Sequence, residues 1–282
     1  MHERRLYGLI LVAAGTVLWS LAGLFVRAID LGVWDLILWR SIFACLCLLA
    51  VAVARPTGGS SFGWHGCLAA CLSATAMFCY VAALTLTTVA NVLIIYATLP
   101  FVTAALAWAA TRETASRRLL GASTASMAGI LFVAGTSLSA SDIAGNTLAF
   151  AMTLSFGALL IMTRFYRSLN LVHVNAAGAA LCAAVALPFS SGQMPPFDTL
   201  VLIFVLALLT TALAFMLFLA GGRHVASSES ALIALLDVVL GPLWVWLAFA
   251  EDPGQGTMAG GLIVVTSVVW YFWPSLRRSY GR

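Results

Sequence analysis

The sequence predicts an all-α membrane protein, with ten transmembrane helices arranged as two inverted five-helix repeats. Three observations carry that expectation. The first is composition: of 282 residues, 62% are hydrophobic and 9% charged, and the mean hydropathy is +1.04. Soluble domains carry about 25% charge, so this chain has too little polar surface to cover itself in water. The second is a series of ten apolar stretches of membrane-crossing length, and the third is a self-match of the chain at an offset of 138 residues.

In hydrocarbon every backbone amide needs a partner within the protein, which leaves helices of about 20 apolar residues as the spanning unit. Such stretches occur at about 6–26, 34–54, 64–84, 89–110, 119–137, 143–163, 171–189, 197–220, 230–249 and 257–273. Between them lie turn-forming connections, rich in Pro, Gly and Ser at 56–61 and 190–196 and short and polar at 139–142. Trp34, Trp64, Trp270 and Trp273 fall at stretch ends, where indoles favour the headgroup zone. Arg4 and Arg5 precede an apolar stretch that has the length of a span rather than of a signal-peptide core, so no cleavable leader is expected.

Arginines set the orientation. All fourteen cations are arginine. With the N-terminus inside, twelve of them (Arg4, Arg5, Arg55, Arg112, Arg117, Arg118, Arg164, Arg167, Arg223, Arg277, Arg278 and Arg282) fall in inner segments. Arg27 alone lies in an outer loop, and Arg40 lies within the second stretch. The outer loops collect Asp30, Asp142, Asp198, Glu251 and Asp252 instead. Under the positive-inside rule this bias places both termini in the cytoplasm, in a multi-pass protein of the inner membrane. One missed or added helix would scramble the alternation.

Several function classes drop out. The net charge of +4 comes with no basic run and no aromatic–basic interleaving, so nucleic acid is not an expected partner. Six cysteines lie inside apolar stretches, and Cys67 and Cys71 share a helix face that carries no histidine or carboxylate to complete a zinc site. The cysteines read as small buried hydrophobes. No metal or cofactor is expected. The four histidines (His2, His65, His173 and His224) fall at stretch ends, and no Ser–His–Asp or paired-carboxylate set shares one depth. Enzymatic activity is therefore not expected.

Shifting the chain by 138 residues lays the first stretch on the sixth and the fifth on the tenth. Trp108 then meets Trp246, Glu113 meets Glu251, Ala76 meets Ala214, Ala82 meets Ala220 and Tyr80 meets Phe218. A Trp and a Glu five residues apart, closing the same stretch in both halves, is hard to obtain by chance. Five is odd, so the second half inserts upside down relative to the first. Residues 1–138 and 139–282 are read as the two units. Inverted repeats with a site at their interface are a common build for secondary transporters.

The chain resembles the drug/metabolite transporter superfamily, of the ten-helix EamA type. The residues that carry the resemblance run from Leu235 through Asp237, Gly241, Pro242, Trp244 and Trp246 to Leu247, followed by Glu251. Their first-half counterpart is Tyr96-Ala-Thr-Leu-Pro-Phe101 with Trp108, Glu113 and Gly121. Within the superfamily the chain looks most like the YddG-type aromatic amino-acid exporters. That resemblance implies a large central cavity, an acidic residue at the position of Asp237, and efflux of broad specificity.

With few polar groups at depth, binding is expected to rely on aromatic surfaces. The candidates are Trp19, Tyr80 and Tyr96 in the first half and Phe156, Phe215 and Phe218 in the second, each weighed against simple packing. Tyr96 leads, because its hydroxyl needs a partner at mid-depth and Pro100 loosens the helix one turn later. Asp237 lies near the middle of its stretch, where an ionised carboxylate costs about 2.5–3.5 kcal/mol. It is expected to face the bundle interior as a counter-charge, a proton carrier or a structural hydrogen-bond partner. Arg40 is expected to snorkel to the outer headgroups. Asn91 and Glu229 coincide across the repeat and are candidate gate or helix-cap residues, while Gly121, Ala125 and Gly129 form a small-residue packing stripe.

The expected function is secondary transport, exporting amino acids, aromatic ones included, or similar amphiphilic metabolites by alternating access through a central cavity. The partners are then that small-molecule substrate and the lipid bilayer. The rivals are the same fold with another cargo, such as a drug, polyamine or nucleotide-linked sugar, and a membrane-embedded enzyme or scaffold.

Overall fold

A computed structural model describes residues 2–54, 63–87, 89–134, 143–249 and 254–280. All regular structure among them is helical. Span one is His2–Ser20 continued by Ala22–Ala28, span two Val33–Ala54, span three Gly63–Leu86, and span four Val89–Tyr96 followed by Leu99–Thr111. Span five is Arg117–Ala134, span six Ile143–Phe165, and span seven Leu171–Ala186 with a tight 3-10 turn at Leu187–Phe189. Span eight joins Phe197–Leu206, a π-helix Ala207–Leu213 and Ala214–Gly222. Span nine is Ser227–Ala234 followed by Asp237–Phe249, and span ten is Gly254–Tyr280. Eight helices among the described residues are long and apolar enough to cross a bilayer, and Met258–Trp273 is a shorter apolar one.

The helix ends follow from local chemistry. Asn170 caps span seven, its side-chain oxygen accepting from the amides of Val172 at 3.0 Å and His173 at 3.4 Å. Span four ends where Arg112 turns left-handed at φ 59° and its amide reaches back to the Trp108 carbonyl.

The packing scheme displays the repeat. Span one packs on span eight and span six on span three, which are equivalent pairs when the halves are exchanged. Spans two and seven, four and nine, and five and ten pair with their own counterparts, and span three on span seven matches span eight on span two. Exchanging the halves therefore turns the scheme into itself. With five spans in each half, the two halves run in opposite directions across the bundle. The boundary expected at 138/139 lies outside the described residues.

Glycines permit the closest crossings. A Cβ on Gly221 would sit 2.6 Å from the Gly8 carbonyl, and one on Gly129 would sit 2.7 Å from the Gly260 carbonyl. Gly121, assigned to the same stripe as Gly129, has nothing within 4 Å of its Cβ position. That stripe therefore packs at one end only.

Spans four and nine both break. The first opens at Ala97–Thr98 and the second at Leu235–Leu236, positions related by the repeat offset of 138. In span four, Pro100 has no amide to offer the Tyr96 carbonyl, so the turn cannot close. Thr98 instead bonds back to Ile95 through its amide at 3.0 Å and its hydroxyl at 2.6 Å. In span nine no proline occupies the equivalent position, yet the Val238 amide bonds to Leu235 three residues back, at 3.2 Å. The first half-helix of span nine packs on the second half-helix of span four, bringing the two breaks to the bundle centre.

Candidate functional site

The breaks place two of the predicted residues at half-helix ends. Tyr96 is the last residue of one half-helix and Asp237 the first of another. There Asp237 lies in the first turn of a thirteen-residue helix, whose exposed amide dipoles favour a negative charge. Tyr80, from span three, lies within electrostatic reach of Asp237, and Tyr96 lies within reach of both. All three are enclosed by protein, yet Tyr80 keeps 39% of its surface accessible. A side chain surrounded by protein and still open to a water-sized probe lines internal space.

Arg40 departs from the expectation. Rather than snorkelling outward, it sits in protein beside Tyr80 of span three and Cys182 of span seven. Its Nε is buried without a hydrogen-bond partner. Depth along a span could be read from sequence, but not the face on which the guanidinium lies. Spans two and seven thereby join the elements around the centre.

Trp19 is the hub of an aromatic cluster. Its ring centroid is 4.6 Å from Phe215, 5.2 Å from Phe156 and 5.4 Å from Phe218. Phe156, Phe215 and Phe218, expected on the cavity surface, are 3%, 5% and 0% exposed and pack behind Trp19. The edge-on contacts to Phe156 and Phe215 fix the indole plane. A second indole, Trp244 of span nine, donates to the Ser20 hydroxyl of span one at 2.8 Å. No sequence signal marks that link, because the two residues are 224 positions apart.

At the bundle end that holds the N-terminus, the halves are tied together. Glu229 is 8% exposed and accepts from Arg5 Nη2 at 2.8 Å and from the Tyr271 hydroxyl at 2.7 Å. The Tyr271 hydroxyl also engages Ser116. One carboxylate thus joins spans one, nine and ten to the start of span five. Nearby, Arg164 Nη1 spans both Glu113 oxygens at 3.0 and 2.8 Å, again across the halves. Arg118 donates to the Trp270 carbonyl and lies 4.7 Å from that ring's centroid. Arg223 seals the adjoining loops by donating to the Thr163 and Leu169 carbonyls. Burial there, with Arg167 beside it, pushes its guanidinium down from the usual range. The side chain of Asn91, the repeat partner of Glu229, lies outside the described residues.

The cysteines divide. Cys79 and Cys182 are buried, whereas Cys67 and Cys71 are exposed on the bundle surface rather than buried as expected.

Two inverted five-helix halves, broken helices at the centre and enclosed polar groups at mid-depth define a membrane transporter build. The chain belongs to the EamA-like transporter family, whose model matches it twice, over residues 6–135 and 143–273. No curated protein matches it. A solved crystal structure superposes with a TM-score of 0.84 over 97% of this chain and 99% of that one, at 17% identity. At that identity the likeness shows the fold alone.

Proposed function

We propose that this transporter exports amino acids, aromatic ones included, or similar amphiphilic metabolites across the cytoplasmic membrane by alternating access. Trp19, Tyr80, Tyr96 and Asp237 form the substrate surface, backed by Phe156, Phe215 and Phe218. The observation that carries this reading is Tyr80, enclosed by protein yet 39% exposed, next to Tyr96 and Asp237. Aromatic faces at that depth suit a ring or an apolar side chain, and the carboxylate suits an amine.

With both termini in the cytoplasm, the ties around Glu229 and Glu113 lie at the inner end and hold the two halves together there. Glu229 and its repeat partner Asn91 act as gate residues at opposite ends. The units 1–138 and 139–282 exchange roles as the site changes sides.

Thermal stabilisation of the purified protein tests the cargo. A ligand at one hundred times its dissociation constant stabilises the native state by about 2.7 kcal/mol. L-phenylalanine is expected to raise the melting temperature, while spermidine and a nucleotide-linked sugar leave it unchanged. Stabilisation by spermidine or the sugar without any by phenylalanine would reject the amino-acid reading.

A further inference from the structure

Arg40 is not accounted for by the aromatic surface or by the carboxylate. A cation within a membrane-spanning segment is costly unless something answers its charge. Among the described residues the ion pairs are Arg5–Glu229 and Arg164–Glu113, and neither Arg40 nor Asp237 takes part in one. Arg40 and Asp237 come from different halves, and each lies within electrostatic reach of Tyr80. Tyr80, the exposed member of the group, is therefore within reach of both a positive and a negative group. The Arg40 Nε is also buried without a hydrogen-bond partner, and a guanidinium fork matches a carboxylate.

We propose that Arg40 is the carboxylate-binding pole of the transport site, set across Tyr80 from Asp237 as the ammonium-binding pole, so that the site selects zwitterions. This rests on the amino-acid reading above and narrows it to ligands carrying both groups. A polyamine would meet Arg40 as a like charge, and a simple carboxylic acid would meet Asp237 as one. Only a ligand with both charges answers both poles.

Calorimetric titration with three probes that share one ring tests this. The probes are L-phenylalanine, phenethylamine without the carboxylate, and 3-phenylpropionate without the amine. The wild-type protein is expected to bind phenylalanine at least tenfold tighter than either truncated probe. Arg40→Gln should weaken phenylalanine and phenylpropionate ten- to a hundredfold, the scale of a lost charged hydrogen bond, and leave phenethylamine within about twofold. Asp237→Asn should give the reverse pattern. If Arg40→Gln weakens all three probes alike, or none, the assignment of Arg40 is overturned while the amino-acid reading stands. If Arg40→Gln does not yield folded protein, Arg40→Lys, which keeps the charge, should show the same ligand pattern at a smaller size. The wild-type ranking also decides without any variant, because phenethylamine binding as tightly as phenylalanine rules out a carboxylate pole. Wild-type protein that binds none of the three overturns the amino-acid reading and this proposal with it.

Discussion

Replacing Glu229 by Gln should release the inner end of the bundle. The carboxylate is buried and accepts two hydrogen bonds, from Tyr271 at 2.7 Å and Arg5 at 2.8 Å. The Arg5 side chain is 32% exposed, so its ion pair is partly screened and is worth at most about 1 kcal/mol. The Tyr271 bond to a charged acceptor is worth about 1.5–3 kcal/mol, part of which a neutral amide retains. Together the loss comes to about 2 kcal/mol, or roughly thirtyfold in an equilibrium between closed and open inner ends. Ser230, one residue on, is 0% exposed. A cysteine placed there, in a background lacking the six natural ones, would react with a maleimide only when the inner end opens. Labelling is expected to speed up about thirtyfold in the Glu229→Gln protein. Arg164→Gln breaks the pair to Glu113, whose side chains are 25% and 37% exposed, and should change labelling only a fewfold. An unchanged labelling rate in folded Glu229→Gln protein would refute the role of this carboxylate as a latch.

Four further outcomes are expected. Tyr96→Ala should weaken phenylalanine binding by about 1–3 kcal/mol without lowering the amount of protein in the membrane, as titration and quantitative blotting would show. Gly129→Val should lower the thermal midpoint, by the equivalent of about 1–3 kcal/mol of overpacking. Gly121→Ala, with open space within 4 Å, should leave it unchanged. A reporter active only in the periplasm, fused at the C-terminus, should stay inactive, and an active fusion would reverse the arginine argument.

Much of the fold was legible because membrane physics writes it into composition. Apolar length gives the spans, and the arginines give their alternation. The Trp108–Glu113 and Trp246–Glu251 pairs give the repeat. The break in span four could be read from Pro100, but the matching break at Leu235–Leu236 could not, since only packing against the partner span marks it. The centre was half legible. Tyr80, Tyr96 and Asp237 stood out as polar groups at depth, and the structure brings them together. Which face each side chain takes was not legible. Arg40 therefore turned inward against expectation, and three phenylalanines packed behind Trp19. The partners of Glu229 were equally hidden, since Arg5 lies 224 residues away and Tyr271 lies 42 away.

Counterflow in proteoliposomes tests the central claim most directly. Vesicles loaded with unlabelled L-phenylalanine and diluted into trace labelled phenylalanine should accumulate label transiently and return it chemically unchanged. Tyr96→Ala protein should reach the same plateau more slowly or at higher substrate. Label that never exceeds its level in protein-free vesicles, or that emerges as a different compound, would contradict a transporter that carries amino acids between two inverted halves.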